Sequence, residues 1–150
     1  MLRVTKLTDY ASVVLTVLAN APDTVLSATG LAERAGLEPP TVAKVLKPLA
    51  QAGLVQAFRG AAGGYRLARP PGEISLVDIV EAMEGPLAMT ECSVDEGHCG
   101  IEHSCNARAN WRRINDVVAD ALRRVTLADM ILPTPATDAR KTIPVSLSAN

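Results

Sequence analysis

One stretch restricts the fold more than any other: Ser27-Ala-Thr-Gly-Leu-Ala-Glu-Arg-Ala-Gly36-Leu37-Glu38-Pro39-Pro40-Thr41-Val42-Ala43-Lys44-Val45-Leu46-Lys47. Ser27 carries a capping oxygen, Leu31, Ala32 and Ala35 share a face, and Gly36 can end the helix in left-handed backbone. Pro39 or Pro40 then opens a second helix at its first turn, where a missing N–H costs nothing. Val42, Val45, Leu46 and Leu49 supply its buried face. Helix, glycine turn and helix at this length predict a helix-turn-helix. The outward Thr41, Lys44 and Lys47 are types that contact phosphates and base edges, although a plain helical hairpin with a solvated face has the same pattern. Pro48 is expected to kink or loosen the last turn, because an interior proline costs about 3 kcal/mol.

The next residues favour the first reading. Leu54-Val-Gln-Ala-Phe58 reads as a strand, Arg59-Gly-Ala-Ala-Gly-Gly64 as a loop and Tyr65-Arg-Leu67 as a returning strand, a wing directly behind the second helix. Gly60, Gly63 and Gly64 would let its tip approach a duplex backbone, with Arg59 and Arg66 supplying charge. The candidate DNA-contacting set is therefore Thr41, Lys44, Lys47, Arg59, Gly60, Gly63, Gly64, Tyr65 and Arg66. Residues 1–69 hold eight Lys or Arg against four acids, residues 70–105 none against eight, and residues 106–150 seven against four. A basic first part suits a polyanion and an acidic middle repels one. Aromatic content of 3% argues against base stacking as the principal mode of binding.

Helical stripes flank this unit. Leu7, Ala11, Val14 and Leu18 predict a helix over residues 8–19, capped by Thr8 or Asp9. Ser75-Leu-Val-Asp78 has the form of a capping box ahead of a short helix that Gly85-Pro86 ends. Trp111, Ile114, Val118, Ala121, Val125, Ala128 and Leu132 keep steps of three and four, which predicts one long helix from Asn106, with Asp120 and Arg124 paired on its outer side. So long a stripe beside so small a globular part predicts a homodimer through Trp111, Ile114, Val118, Ala121 and Val125. Pro133 and Pro135 stop it, and the tail is expected to be disordered. The expected fold is mainly α: a winged helix-turn-helix domain at 1–69, a linker helix and cysteine loop at 70–105, a dimerisation helix at 106–132 and a tail at 133–150. No run of eighteen apolar residues occurs, and the apolar stretch at 11–19 lacks the flanks of a signal peptide, so no membrane association and a cytoplasmic location are expected.

All three cysteines and both histidines fall in Cys92-Ser-Val-Asp-Glu-Gly-His98-Cys99-Gly-Ile-Glu-His103-Ser-Cys105. An odd count cannot close a disulfide set, and the C-x6-C-x5-C spacing lacks the C-x2-C pairs common in zinc sites. Three thiolates and one other donor suit an iron–sulfur cluster, 2Fe-2S or 4Fe-4S; zinc, redox-active thiols and idle thiols are the alternatives. No nucleotide-binding glycine loop, C-x-x-C pair or acid–base constellation suggests an enzyme. A redox or interaction protein holding a cluster or zinc without a DNA-binding role is the competing reading.

Several motifs together resemble the IscR/NsrR type of winged-helix transcriptional regulators. They are Leu7-Thr-Asp-Tyr-Ala11, Ala52-Gly-Leu-Val55, the wing Arg59-Gly-x-x-Gly-Gly-Tyr65-Arg-Leu67 and the three cysteines. Lys6-Leu-Thr-Asp-Tyr, Pro40-Thr-Val-x-Lys44-Val-Leu-Lys47 and Glu84-Gly-Pro-Leu-x-x-Thr-Glu-Cys92 look most like the regulators of the SUF iron–sulfur assembly system. The resemblance implies a DNA-binding dimer that senses cluster or redox status through Cys92, Cys99 and Cys105, and controls cluster-assembly genes. It departs from IscR-like members at Arg108, where they have a ligand histidine, and at Thr41 and Ala43, where they have tyrosine and glutamate in the recognition helix. The fourth ligand is thus open among His98, His103 and Asn106 in the loop, or Asp9, whose counterpart serves as a ligand across the dimer in the nitric-oxide-sensing branch.

Overall fold

The computed structural model describes residues 4–90, 105 and 107–132. The first helix, α1 (Lys6–Ala19), starts earlier than its apolar stripe suggested, because Thr5 is the cap: its side chain accepts the Thr8 N–H at 3.3 Å. Thr8 therefore lies inside the helix and is buried, while Asp9 is exposed. Helix α2 (Ala28–Ala35) is capped by Ser27, whose hydroxyl accepts the Gly30 N–H at 3.0 Å, and ends at Gly36 with φ 64°. Helix α3 (Pro39–Gln51) opens on Pro39 and continues through Pro48. Its last turn is held by fully buried Leu49 and closed by Leu54, whose N–H donates to the Leu49 carbonyl at 2.9 Å.

Strands β1 (Val55–Phe58) and β2 (Gly64–Leu67) pair antiparallel, Val55 opposite Leu67 and Phe58 opposite Gly64. Leu26 extends the ribbon on its other edge, exchanging two backbone hydrogen bonds with Tyr65 at 2.9 and 2.7 Å. Helix α4 (Leu76–Glu84) has the expected capping box between Ser75 and Asp78.

Two expectations are corrected after residue 69. The predicted helix over 106–132 is interrupted: α5 (Arg108–Arg123) ends, and a short α6 (Leu127–Ile131) restarts after Thr126, which forms its own capping box with Asp129. At the break, backbone bonds of 2.8 Å join Leu76 N–H to Val125 and Leu127 N–H to Ile74, and fully buried Leu127 enters the main core. Asp120 accordingly pairs with Arg123 at 2.7 Å, where the sequence pattern had suggested Arg124. Nor does the first unit end at residue 69. Ile74, Ile79 and Leu127 share one core with Leu15, Leu31, Val45 and Leu49, so α4 and α6 are integral to the reading domain. Each fully buried aliphatic side chain contributes about 1.5–3 kcal/mol, which makes a division through this core untenable. The expected tail at 133–150 lies outside the described residues.

Candidate nucleic-acid interface and the anchor of the cysteine loop

Helix α3 is amphipathic in the manner a reading helix requires. Val42, Val45, Leu46 and Leu49 are buried, whereas Lys44 and Lys47 are exposed with Ala43, and Thr41 is half-buried at the first turn. The wing follows from the same core, so its position relative to α3 is fixed by packing.

The structure divides the wing residues by what they do. A side chain at Gly63 would strike the Phe58 and Gly60 carbonyls, and one at Gly64 would strike the Leu26 backbone. These two glycines are therefore explained by packing within the wing, whereas Gly60, φ 103°, faces open space. Tyr65 uses both backbone groups on Leu26 and packs its ring against the core. Arg66 stacks its guanidinium 5.1 Å from the Phe58 ring centroid, and Arg59 is exposed at the start of the loop. Of the candidate contact residues, Lys44, Lys47, Arg59 and Gly60 are thus exposed and Thr41 and Arg66 half-buried, while Gly64 and Tyr65 pack against Leu26.

Of the cysteine loop, Cys105 is described: it is half-buried, not in a disulfide, and its carbonyl accepts the Arg108 N–H at 3.4 Å. Cys92, Cys99, His98, His103 and Asn106 lie outside the described residues. Asp9 lines a groove with Val4, Thr5, Lys6 and Ser12 near the start of α1.

The approach to the loop is anchored at two points that sequence reasoning missed. Glu84, the last residue of α4, accepts the Thr8 hydroxyl at 2.6 Å and the Thr5 N–H at 2.9 Å. The Thr8 hydroxyl, then the Thr5 backbone N–H, hold its carboxyl below the usual carboxylate range. Five residues on, the Met89 N–H donates to the side-chain carbonyl of buried Asn115 on α5 at 3.1 Å. A cavity of about 650 Å³ lies between these anchors, walled by Val4, Thr8 and Ser12, by Leu76, Val80 and Glu84, by 85–89, and by Trp111, Val118 and Leu122. Sequence separations of 76 to 79 residues left no local signal for the Glu84 hydrogen bonds. Asn115 had one, a polar residue on a stripe otherwise apolar.

On α5, Trp111, Ile114, Val117, Ala121 and, just beyond it, Val125 are exposed, with Val117 at 62%. Val118 is half-buried toward the cavity, so Val117 joins the outward face in its place. The step Ile114, Val117, Ala121 was legible as i, i+3, i+7. Among the described residues, no helix is long and apolar enough to cross a membrane.

Residues 4–133 match the family described as "Rrf2: Iron-dependent Transcriptional regulator". The chain is 34% identical over 135 residues to Protein aau3 of Rhizobium meliloti (strain 1021), an alignment covering 89% of this chain and 88% of that one. Among solved structures it is similar to CymR (YrzC), the global cysteine regulator of B. subtilis, at 30% identity and a TM-score of 0.67, covering 87% of this chain and 97% of that one. IscR of T. potens is similar at 30% identity and a TM-score of 0.64, covering 87% and 86%.

Proposed function

Since this chain belongs to the Rrf2 family and is a DNA-binding transcriptional regulator, not an enzyme, we propose that it is a cytoplasmic homodimer that senses iron–sulfur or redox status and controls SUF cluster-assembly genes. The reading without a DNA-binding role is set aside by the family itself. The observation that carries the proposal is the joining of two features in one chain: a reading helix and wing built on one core, and a three-cysteine loop whose approach is hydrogen-bonded to that core at Glu84.

Each part of the mechanism rests on this chain's own groups. Lys44, Lys47, Arg59 and Arg66 neutralise phosphates, and Thr41 with the exposed start of α3 meets base edges in the major groove. The outward face of α5 pairs with its copy and sets the separation of two reading heads. The donor set fits an iron–sulfur cluster by its chemistry: Cys92, Cys99 and Cys105 would hold it, with Asp9 or His103 as fourth ligand. When bound, such a cluster supplies a centre sensitive to oxidants and to iron supply. Asp9 as ligand would tie the loop to the first turn of α1; His103 would keep the ligand set within the loop.

The test is anaerobic purification followed by visible absorption and by iron, sulfide and zinc analysis, for wild type, Cys99→Ala, Asp9→Ala and His103→Ala. Iron and sulfide in wild type, their loss in Cys99→Ala and an altered spectrum in Asp9→Ala are expected. Zinc in place of iron, or thiols with no metal, would overturn sensing through an iron–sulfur cluster, and a spectrum altered only in His103→Ala would return the fourth ligand to the loop.

A further inference from the structure

The segment 85–89 is a short strap hung between the start of α1 and the middle of α5. At one end Glu84 binds the buried Thr8 hydroxyl and the Thr5 N–H at the start of α1. At the other, Met89 donates to Asn115 on α5. Residue 85 leaves α4 with φ 87°, so the strap departs from the helix direction at once. Met89 lies three positions before Cys92, so its bond to Asn115 is the anchor nearer the cysteine loop along the chain and Glu84 the farther one. Neither anchor is explained by core packing: Glu84 is exposed, and Asn115 places a polar group on a buried helix face that an apolar residue would fill more cheaply.

We infer that Glu84 and Asn115 are positioning residues that couple the cysteine loop to the reading domain, Glu84 through α1 and Asn115 through α5. The inference rests on the proposed sensing role for its biological use, and the strap itself can be tested without it.

The experiment uses the full chain and a duplex selected from a random pool. Binding is measured for the anaerobically reconstituted and the chelator-stripped protein, in wild type, Glu84→Ala, Thr8→Val and the double variant. In wild type the two states should differ in affinity by about 5- to 150-fold, the usual range of coupling between sites. Glu84→Ala should bring that ratio within about twofold of one and Thr8→Val should lower it toward one, and the double variant should do no more than Glu84→Ala alone, because that change already removes the bonds to both Thr8 and Thr5. A merely structural role would weaken both states together and leave the ratio intact, which would overturn the inference. A wild-type ratio of one would instead defeat the sensing role. The strap is then judged by hydrogen exchange in stripped protein, where Asn115→Ala should speed exchange at the Thr5 amide, the far anchor, about tenfold or more. An unchanged Thr5 amide would show that the anchors are not connected, and the inference would fall.

Discussion

At the residue scale, the glycines of the wing show how one residue type serves two purposes. Gly60 tolerates left-handed backbone in open space, so Gly60→Ala should cost about 1–2 kcal/mol of strain. Gly64→Ala adds a collision with the Leu26 backbone and should cost more, with overpacking alone typically contributing about 1–3 kcal/mol. Urea midpoints should therefore fall further for Gly64→Ala; equal decreases would mean that the wing does not pack on Leu26 as described. Lys44 and Arg59 make a complementary case, since both are exposed and neither supports the fold. Replacing either with Ala should leave thermal stability unchanged within about 0.5 kcal/mol. The slope of log affinity against log salt should meanwhile fall by about 0.9 for each phosphate that is no longer neutralised. The exposed cations of α3 and the wing were legible because helix and strand periodicity assign them outward. The packing of Gly64 and Tyr65 was not, because it joins them to Leu26, nearly forty positions away in the chain.

At the element scale, local signals read well by themselves and mislead where a longer pattern runs over them. Ser75 with Asp78 and Thr126 with Asp129 are the same capping box. Only the first stands clear in the sequence. The apolar stripe carries on through Val125, Ala128 and Leu132 and hides the second, although Leu127 serves the main core and α5 ends at Arg123. Ser75→Ala and Thr126→Ala should each lower stability by about 1 kcal/mol, the usual worth of a helix cap, read as a shift in denaturant midpoint. The Thr126 backbone N–H and then its hydroxyl hold the Asp129 carboxyl below the usual range. Its contribution is present above the ordinary carboxylate pKa and is lost as pH falls through the lowered value. Wild type should accordingly lose this part of its stability in acid, and Asp129→Asn should flatten that decline; identical acid limbs for the two proteins would contradict the assignment.

At the scale of the whole molecule, the fold class was written in periodicity and punctuation, whereas the relation between its parts was not. Arg69-Pro-Pro-Gly72 has the composition of a linker and suggests a boundary at residue 69, yet Ile74, Ile79 and Leu127 close the same core as Leu15 and Leu49. Helix α4, which leads toward the cysteine loop, and α6 are consequently packed on the same core as α3 and the wing. The outward face of α5 remains, and Ile114→Glu or Val117→Glu should convert a dimer to a monomer at micromolar concentration in sedimentation, because each charge would meet its copy in an apolar interface. Selection of duplexes from a random pool by the full-length protein tests the central claim most directly. Enrichment of a two-fold symmetric sequence, with half-sites about one helical turn apart, is expected, together with its disappearance in the Thr41→Ala, Lys44→Ala, Arg59→Ala triple variant. No enrichment by the wild type, or equal enrichment by the triple variant, would contradict the assignment of α3 and the wing as the reading surface.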